Sequence, residues 1–437
     1  MRWLGLLALA ALPLQWFVVA GTPLGVMRLH QAVFLGVAVV LVLARPMRNL
    51  VPVLRLTKVF LALNALMLVV WAAVTLYHGA LPTIPIQEGI YLGVFVIMAT
   101  YFFRAASGQE AGALKALRWS ATGAAGLFVA ALLLSMVSNG VNPMNVIQQT
   151  LATSNPEVLQ KELFRSSFVG YGYDAASIRG NIRHEIFGAI LLAMYVSVWA
   201  EGLLPKVRDL GWRVRQAGLV LASLLLLVSM SRAVLIAAAA WPLLYVYRSL
   251  RTMTLSNRQV ATIYVVGGAF ILLLVSGVGE VIWVRFTQDT ASYSSRGGLY
   301  DAAFANLRST WLFGGEDTTG QSSHNFAIDA WLRGGIVVFL LALCILALLI
   351  VVWLSLLVNL PRAPMWMVPV AAAFALPIDR MLTSGGGLIP PVSWLTLAFA
   401  AGALCYRSEL QRRETERILA RTTGGPADDD LADVQTS

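Results

Sequence analysis

Apolar runs of membrane-crossing length alternate with polar intervals along the whole chain. A helix rises about 1.5 Å per residue, so roughly 17 to 25 apolar residues cross a hydrocarbon layer of about 30 Å. The pattern predicts twelve transmembrane helices, at residues 3–20, 29–44, 59–77, 87–103, 117–138, 184–203, 214–230, 232–248, 260–279, 334–358, 364–381 and 391–406. A helix satisfies its own backbone within lipid, so the expected fold is all-α and polytopic. One transmembrane domain covers residues 1–406, and a partly disordered tail follows over 407–437. The first run is expected to stay as a helix, because MRW leads directly into apolar residues with no small-residue cleavage site. SMSR, Ser229 to Arg232, leaves room only for a tight turn between the seventh and eighth helices.

Two polar intervals are long. In residues 139–183, Asn155 is placed to cap a helix with Pro156 at its first position and Glu157 near its positive end. Val158, Leu159, Leu163 and Phe164 follow at helical spacing, which predicts an amphipathic helix on the membrane surface. That helix either covers the bundle or contacts a lipid substrate. In residues 280–333, Ser294 or Ser295 is read as the cap of one helix and Ser322 or Ser323 as the cap of a second, with a break at Gly314 and Gly315. Arg296 and Tyr300 then lie one turn apart on one face, and His324 and Asn325 open the second helix.

Composition agrees with lipid as the main solvent: 58% of residues are hydrophobic and 12% charged, at a mean hydropathy of +0.73. The basic residues orient the chain. With both termini cytoplasmic, 21 of the 32 Lys and Arg fall inside and 11 outside, the latter mostly in the two long loops. The net charge of +10 is therefore a topology signal with some attraction to anionic membrane lipids, and does not indicate nucleic acid. From Gly424 the chain ends in a short acidic segment, PADDDLADVQTS, read as disordered.

Cys344 and Cys405 have no CxxC or His-rich neighbours, and no acidic pair on the predicted outer side has metal-like spacing. Walker, GxSxG and HExxH motifs are missing from the sequence too. The chemistry is thus expected to need neither metal nor cofactor. Arginines carry the stronger signal. Arg28, Arg183, Arg232 and Arg380 end apolar segments on one predicted side, where a charge costs about 2.5–3.5 kcal/mol at membrane depth. Their planar forks suit phosphate oxygens, although an Arg at a helix end also snorkels into headgroups. Arg296 stands beside Gly297 and Gly298, which allow a ligand near the backbone, and Asp379 is placed to hold Arg380. Arg308 and Arg333 read as structural, and Trp283 and Trp394 as interface anchors. All four histidines, His30, His78, His184 and His324, map to the same outer side; the first three read as packing or interface residues.

WLFGG (Trp311 to Gly315) followed by SSHNFAIDAWLRGG (Ser322 to Gly335) resembles the signature of the O-antigen ligase and polymerase superfamily, and SMSRA (Ser229 to Ala233) is similar to its SR element. Here GGEDTTGQ stands where a shorter G-x-G turn is common. The resemblance implies a GT-C-like fold in the bacterial inner membrane with a large periplasmic loop between helices nine and ten. It implies a glycosyltransferase that moves a glycan en bloc from undecaprenyl diphosphate to lipid A-core at the periplasmic face. His324 then holds the catalytic position, either as base or as phosphate ligand. Arg232, Arg296, Arg28, Arg380 and Arg183 hold the pyrophosphate, with Asn325, Tyr300 and Asp379 in support. The expected course is one inverting displacement, since no acidic nucleophile stands beside the motif. An O-antigen polymerase and a protein O-oligosaccharyltransferase share this chemistry; a secondary transporter or lipid flippase is the alternative of another class.

Overall fold

The computed structural model describes residues 2–15, 18–22, 25–44, 50–138, 140–153, 182–205, 208–228, 232–252, 260, 268, 290–315, 325–383 and 390–422. Among the described residues the fold is mostly helical, with 87% helix in fourteen helices. In chain order these are α1 (Leu4–Ala11), a hairpin of β1 (Val18–Thr22) and β2 (Gly25–Arg28), α2 (Leu29–Ala44), α3 (Leu50–Tyr77), α4 (Thr83–Ala106), α5 (Ala113–Leu117), α6 (Ser120–Ser138) and α7 (Pro143–Thr153). Then come α8 (Ile182–Leu203), α9 (Leu210–Val228), α10 (Arg232–Thr252), α11 (Thr290–Thr310), α12 (Phe326–Asn359), α13 (Met367–Thr383) and α14 (Pro391–Thr422). Among the described residues, five helices are long and apolar enough to cross a membrane: α3, α4, α8, α9 and α12, the last counted with the turn of 3-10 helix after it. The span expected at 260–279 lies almost wholly outside the described residues.

Four expectations need correction. The first run is not one helix over 3–20: α1 stops at Ala11, just before Pro13, which has no N–H to continue the ladder, and an antiparallel hairpin follows. Ser294 and Ser295 do not cap α11, which begins four residues earlier at Thr290. The second helix of that loop is capped by Asn325 rather than by Ser322 or Ser323, which lie outside the described residues. The last helix does not end at the membrane boundary but runs on to Thr422. There Arg412 bonds Glu409 and Glu416, at 2.9 and 2.7 Å, one turn to either side. The helix expected from Asn155 falls outside the described residues. A helix does form just before it: Asn142 accepts the Met144 N–H at 2.9 Å and Pro143 opens α7, the same Asn-Pro signal thirteen residues earlier.

Packing is organised around α8, whose described side chains from Ile186 to Ser197 are all buried. Phe102, Trp199 and Phe399 meet edge-on there, with ring centroids 5.2 to 6.2 Å apart. By contrast α3 exposes Leu66, Val69 and Leu76, an apolar face suited to lipid. Helix α14 crosses α4 closely: a Cβ at Gly402 would lie 2.6 Å from the Ala99 carbonyl oxygen, so only glycine fits.

Side-chain contacts establish which helix ends lie together. Arg248 of α10 donates to the Ala363 carbonyl just before α13, at 2.9 and 3.2 Å, so these helices are antiparallel. Gly202 of α8 abuts Trp366, while Gly188 abuts Leu376 and Arg380 of α13, so α8 and α13 are antiparallel as well. In α4 and α14, Glu88 meets Trp394 and Ala99 meets Gly402, making that pair parallel. The end that carries Arg248 is tightly tied. Arg215 lies 5.2 Å over the Trp119 ring and 3.3 Å from Glu201, Arg104 pairs with Glu110 at 3.0 Å, and Ser197 donates to the Arg118 carbonyl.

Candidate functional site

At the opposite end lie the backbone positions of several of the predicted arginines, as helix register shows. From Arg248 back to Arg232 is sixteen residues, and from Ala363 forward to Arg380 is seventeen. At about 1.5 Å per residue the first is some 24 Å, and the thirteen helical steps from Met367 to Arg380 are some 20 Å beyond the turn at 363–366, so antiparallel α10 and α13 bring the backbone positions of Arg232 and Arg380 to a similar level. In α8, Gly188 is at that level too: a Cβ there would lie 3.5 Å from Arg380 Nη1 and 3.6 Å from Val392 in the first turn of α14. Arg183 begins the same helix five residues further out. Arg28 joins through α2 and α4. Its N–H donates to Gln31 Oε1 at 2.9 Å, and Gln31 Nε2 donates at 2.7 Å to the Tyr91 hydroxyl, one turn along α4 from Glu88.

Arg380 is 7% exposed, so this guanidinium is enclosed by the bundle rather than extended toward solvent. Asp379 precedes it on α13 and is only half-buried. Arg380 is thus an enclosed cation whose charge is little screened in a low dielectric, with the Asp379 and Glu88 carboxylates at the same end of the bundle. A guanidinium binds anionic oxygens through two parallel N–H bonds.

Helix lengths place this level below a rim. Phe60 of α3 meets Trp394 with ring centroids 6.0 Å apart. From there α3 runs seventeen more residues to Tyr77, about 26 Å along its axis. At that end Tyr77 lies 5.7 Å from the Phe313 ring, and His78 Nε2–H donates to the Phe313 carbonyl at 3.1 Å. The packing role expected of His78 is thus a specific one, holding the WLFGG turn.

That turn is locked onto α12 through backbone. Gly315 N–H donates to the Leu332 carbonyl at 2.9 Å, Ile336 N–H to the Leu312 carbonyl at 3.3 Å, and Trp331 Nε1–H to the Trp311 carbonyl at 2.8 Å. Both partners need glycine. Gly314 has φ +66°, and a Cβ on it would lie 2.5 Å from the Arg333 carbonyl oxygen. Gly335 has φ 76° and ψ −172°, breaking α12 into two helical pieces. The first piece is capped by Asn325, whose Oδ1 accepts the N–H groups of Ala327 and Ile328 at 3.0 and 3.2 Å. Asn325 therefore shapes the helix start directly. His324, just before it, lies outside the described residues, and Tyr300 is half-buried on α11, which packs against α12. Arg296 lies one turn before Tyr300 on the same helix.

Sequence reasoning missed Glu88. It is buried at 6% exposure and accepts the Trp394 Nε1–H at 2.7 Å through Oε2. The signal was available, since a carboxylate inside a predicted span is costly unless it serves a purpose. Trp394 is correspondingly a buried donor rather than an interface anchor, at 1% exposure; Trp283 lies outside the described residues. Trp394→Phe is expected to lower stability by about 1–3 kcal/mol, the scale of removing the donor from a buried acceptor. Thermal unfolding of the detergent-purified chain reads this, and an unchanged melting temperature would count against the role. Among the described residues no group of three or more His, Cys, Asp or Glu is placed to hold a metal ion. Set against known proteins, the chain matches no family model, no curated protein and no solved structure.

Proposed function

We propose that this chain is a membrane glycosyltransferase of the O-antigen ligase type, transferring a glycan from undecaprenyl diphosphate to lipid A-core. The observation that supports the reading is that the backbone positions of Arg28, Arg183, Arg232 and Arg380, on four separate elements, lie at one end of the bundle, with the Arg380 side chain enclosed there. A departing diphosphate develops negative charge as its bond to the sugar breaks, and preorganised guanidinium groups stabilise that charge without needing to reorganise. The interlocked WLFGG turn and Asn325 cap support the likeness to the superfamily signature, because they give its glycines and its Asn defined mechanical roles.

In this reading the acceptor hydroxyl oxygen attacks the anomeric carbon, the carbon–oxygen bond to diphosphate breaks, and the hydroxyl proton leaves to a base. His324 is the residue assigned to that proton, with Asn325 setting its position in the chain and Tyr300 and Arg296 on the neighbouring helix. Configuration at carbon inverts. The reading further takes the bundle as a GT-C-like arrangement of twelve spans in the inner membrane, both termini cytoplasmic and the arginine end periplasmic. It needs neither metal nor cofactor, since the arginines carry the charge. The ties at the opposite end, Arg248 to Ala363 and Arg215 to Glu201 and Trp119, favour a site open on one side over alternating access.

Reconstitution with undecaprenyl-diphosphate-linked glycan and lipid A-core, in chelator, tests the reading. Glycan on lipid A with inverted configuration is the expected product. Lengthening on the polyprenyl carrier would reassign the chain as a polymerase, transfer to a pilin as a protein glycosyltransferase, and no transfer at all would return the transporter.

A further inference from the structure

The hairpin that replaces the expected first span is flanked in sequence by polar groups. Val18 pairs with Arg28 at its open end. Gln15 lies three residues before Val18, and His30 two after Arg28. Both are enclosed, at 0% and 2% exposure, yet both amide atoms of Gln15 and both ring nitrogens of His30 have no hydrogen-bond partner among the described residues. Gln31, next to His30 in sequence, is by contrast held between the Arg28 N–H and the Tyr91 hydroxyl. Buried polar groups in folded proteins have partners, and those the chain does not supply come from water or a ligand. The backbone makes an independent case. Non-helical chain at membrane depth persists where it is buried or lines a polar cavity, and the hairpin interrupts an apolar run at this point.

We propose that the open end of this hairpin is the acceptor subsite, where Gln15 and His30 bind sugar hydroxyls and Arg28 binds an anionic group on the same sugar. The proposal rests on the glycosyl-transfer reading above and assigns Arg28 to the acceptor instead of the pyrophosphate. Donor and acceptor counts decide between the two ligands. A neutral imidazole and a carboxamide each present both donor and acceptor atoms, as a hydroxyl does, whereas an ionised diphosphate only accepts and would leave Gln15 Oε1 and one His30 nitrogen unmatched. Arg28 supplies the charge that an acidic or phosphorylated sugar requires, and Arg380 at the same end remains for the diphosphate.

The test uses the full chain in nanodiscs, with lipid A-core and donor varied in turn. Gln15→Leu and His30→Leu are expected to raise the acceptor KM at least roughly tenfold and to leave the donor KM nearly unchanged. Affinity for undecaprenyl diphosphate, added alone, should also be unchanged. An unaltered acceptor KM in variants of raised melting temperature would mean the groups hold only water, and weakened undecaprenyl diphosphate binding would return them to the donor; either result overturns the subsite. Should a leucine variant fail to fold, Gln15→Asn and His30→Gln keep the polarity, displace the atoms and give the same comparison. A native chain that transfers nothing and does not bind undecaprenyl diphosphate defeats the glycosyl-transfer reading itself. A native chain that transfers normally while the variants match it defeats only the subsite.

Discussion

Arg380→Ala is expected to slow glycan transfer by about 10²–10³-fold, the usual cost of removing one preorganised donor to developing charge. The reason lies in its enclosure. A guanidinium at 7% exposure beside Gly188 loses much of its hydration, so its charge acts with little dielectric screening, and nothing else on α13 replaces it. Arg380→Lys should recover only part of the rate, because an ammonium is a point charge and cannot bind two oxygens in parallel. Arg232→Ala is expected to act on the same step. Since α10 and α13 carry the backbone positions of both residues to a similar level, the double variant should lose less than the product of the two single losses. Single-turnover transfer with bound donor measures all three. Fully multiplicative losses would mean that the two arginines serve different groups, and a normal rate in Arg380→Ala would remove it from the site.

Gly335→Ala is expected to disrupt the chain more than any other single methyl group at the described glycines. The backbone there, at φ 76° and ψ −172°, belongs to a region used almost only by glycine, and a side chain held in it costs about 1–3 kcal/mol. The added Cβ would also overlap the Leu312 carbonyl and crowd the Gly314 nitrogen, which are backbone atoms with no rotamer to adjust. Relief requires separating the WLFGG turn from α12, and with it the bonds from Gly315 to Leu332 and from Ile336 to Leu312. A melting temperature lower by several degrees and a loss of transfer are the expected outcomes. Gly36→Ala is the control, since a Cβ there meets nothing within 4 Å. Equal behaviour of the two variants would show that the interlock does not hold the loop.

Much of the helical layout was legible because lipid imposes one rule, that each span satisfies its own backbone, and the apolar runs record it. The prediction of 29–44 coincides with α2, and the predictions for 184–203 and 364–381 differ from α8 and α13 by a few residues. The first run failed because hydropathy measures what a segment dissolves in and not how it pairs. Residues 3–20 are apolar but for Gln15, yet Pro13 stops the helix and valines continue as strand. Caps were misread where several Ser and Asn residues competed within one turn. At Asn325 the competition is settled by which oxygen reaches two free N–H groups, a question of backbone direction. Glu88 went unread because attention to arginines discounted a single carboxylate inside a span.

The sequence by itself determined the solvent of this protein, the positions of most of its helices and the residue types available for its chemistry, because each follows from local composition and spacing. It also marked Gly314, Gly315 and Gly335 as unusual. Only the tertiary structure decided that the backbone positions of Arg232 and Arg380 lie at a similar level, that Gly335 is required by the Leu312 carbonyl, and that Val18 pairs with Arg28 between the enclosed Gln15 and His30. These are relations between residues distant along the chain, set by helix direction, helix length and strand register, which no local pattern encodes.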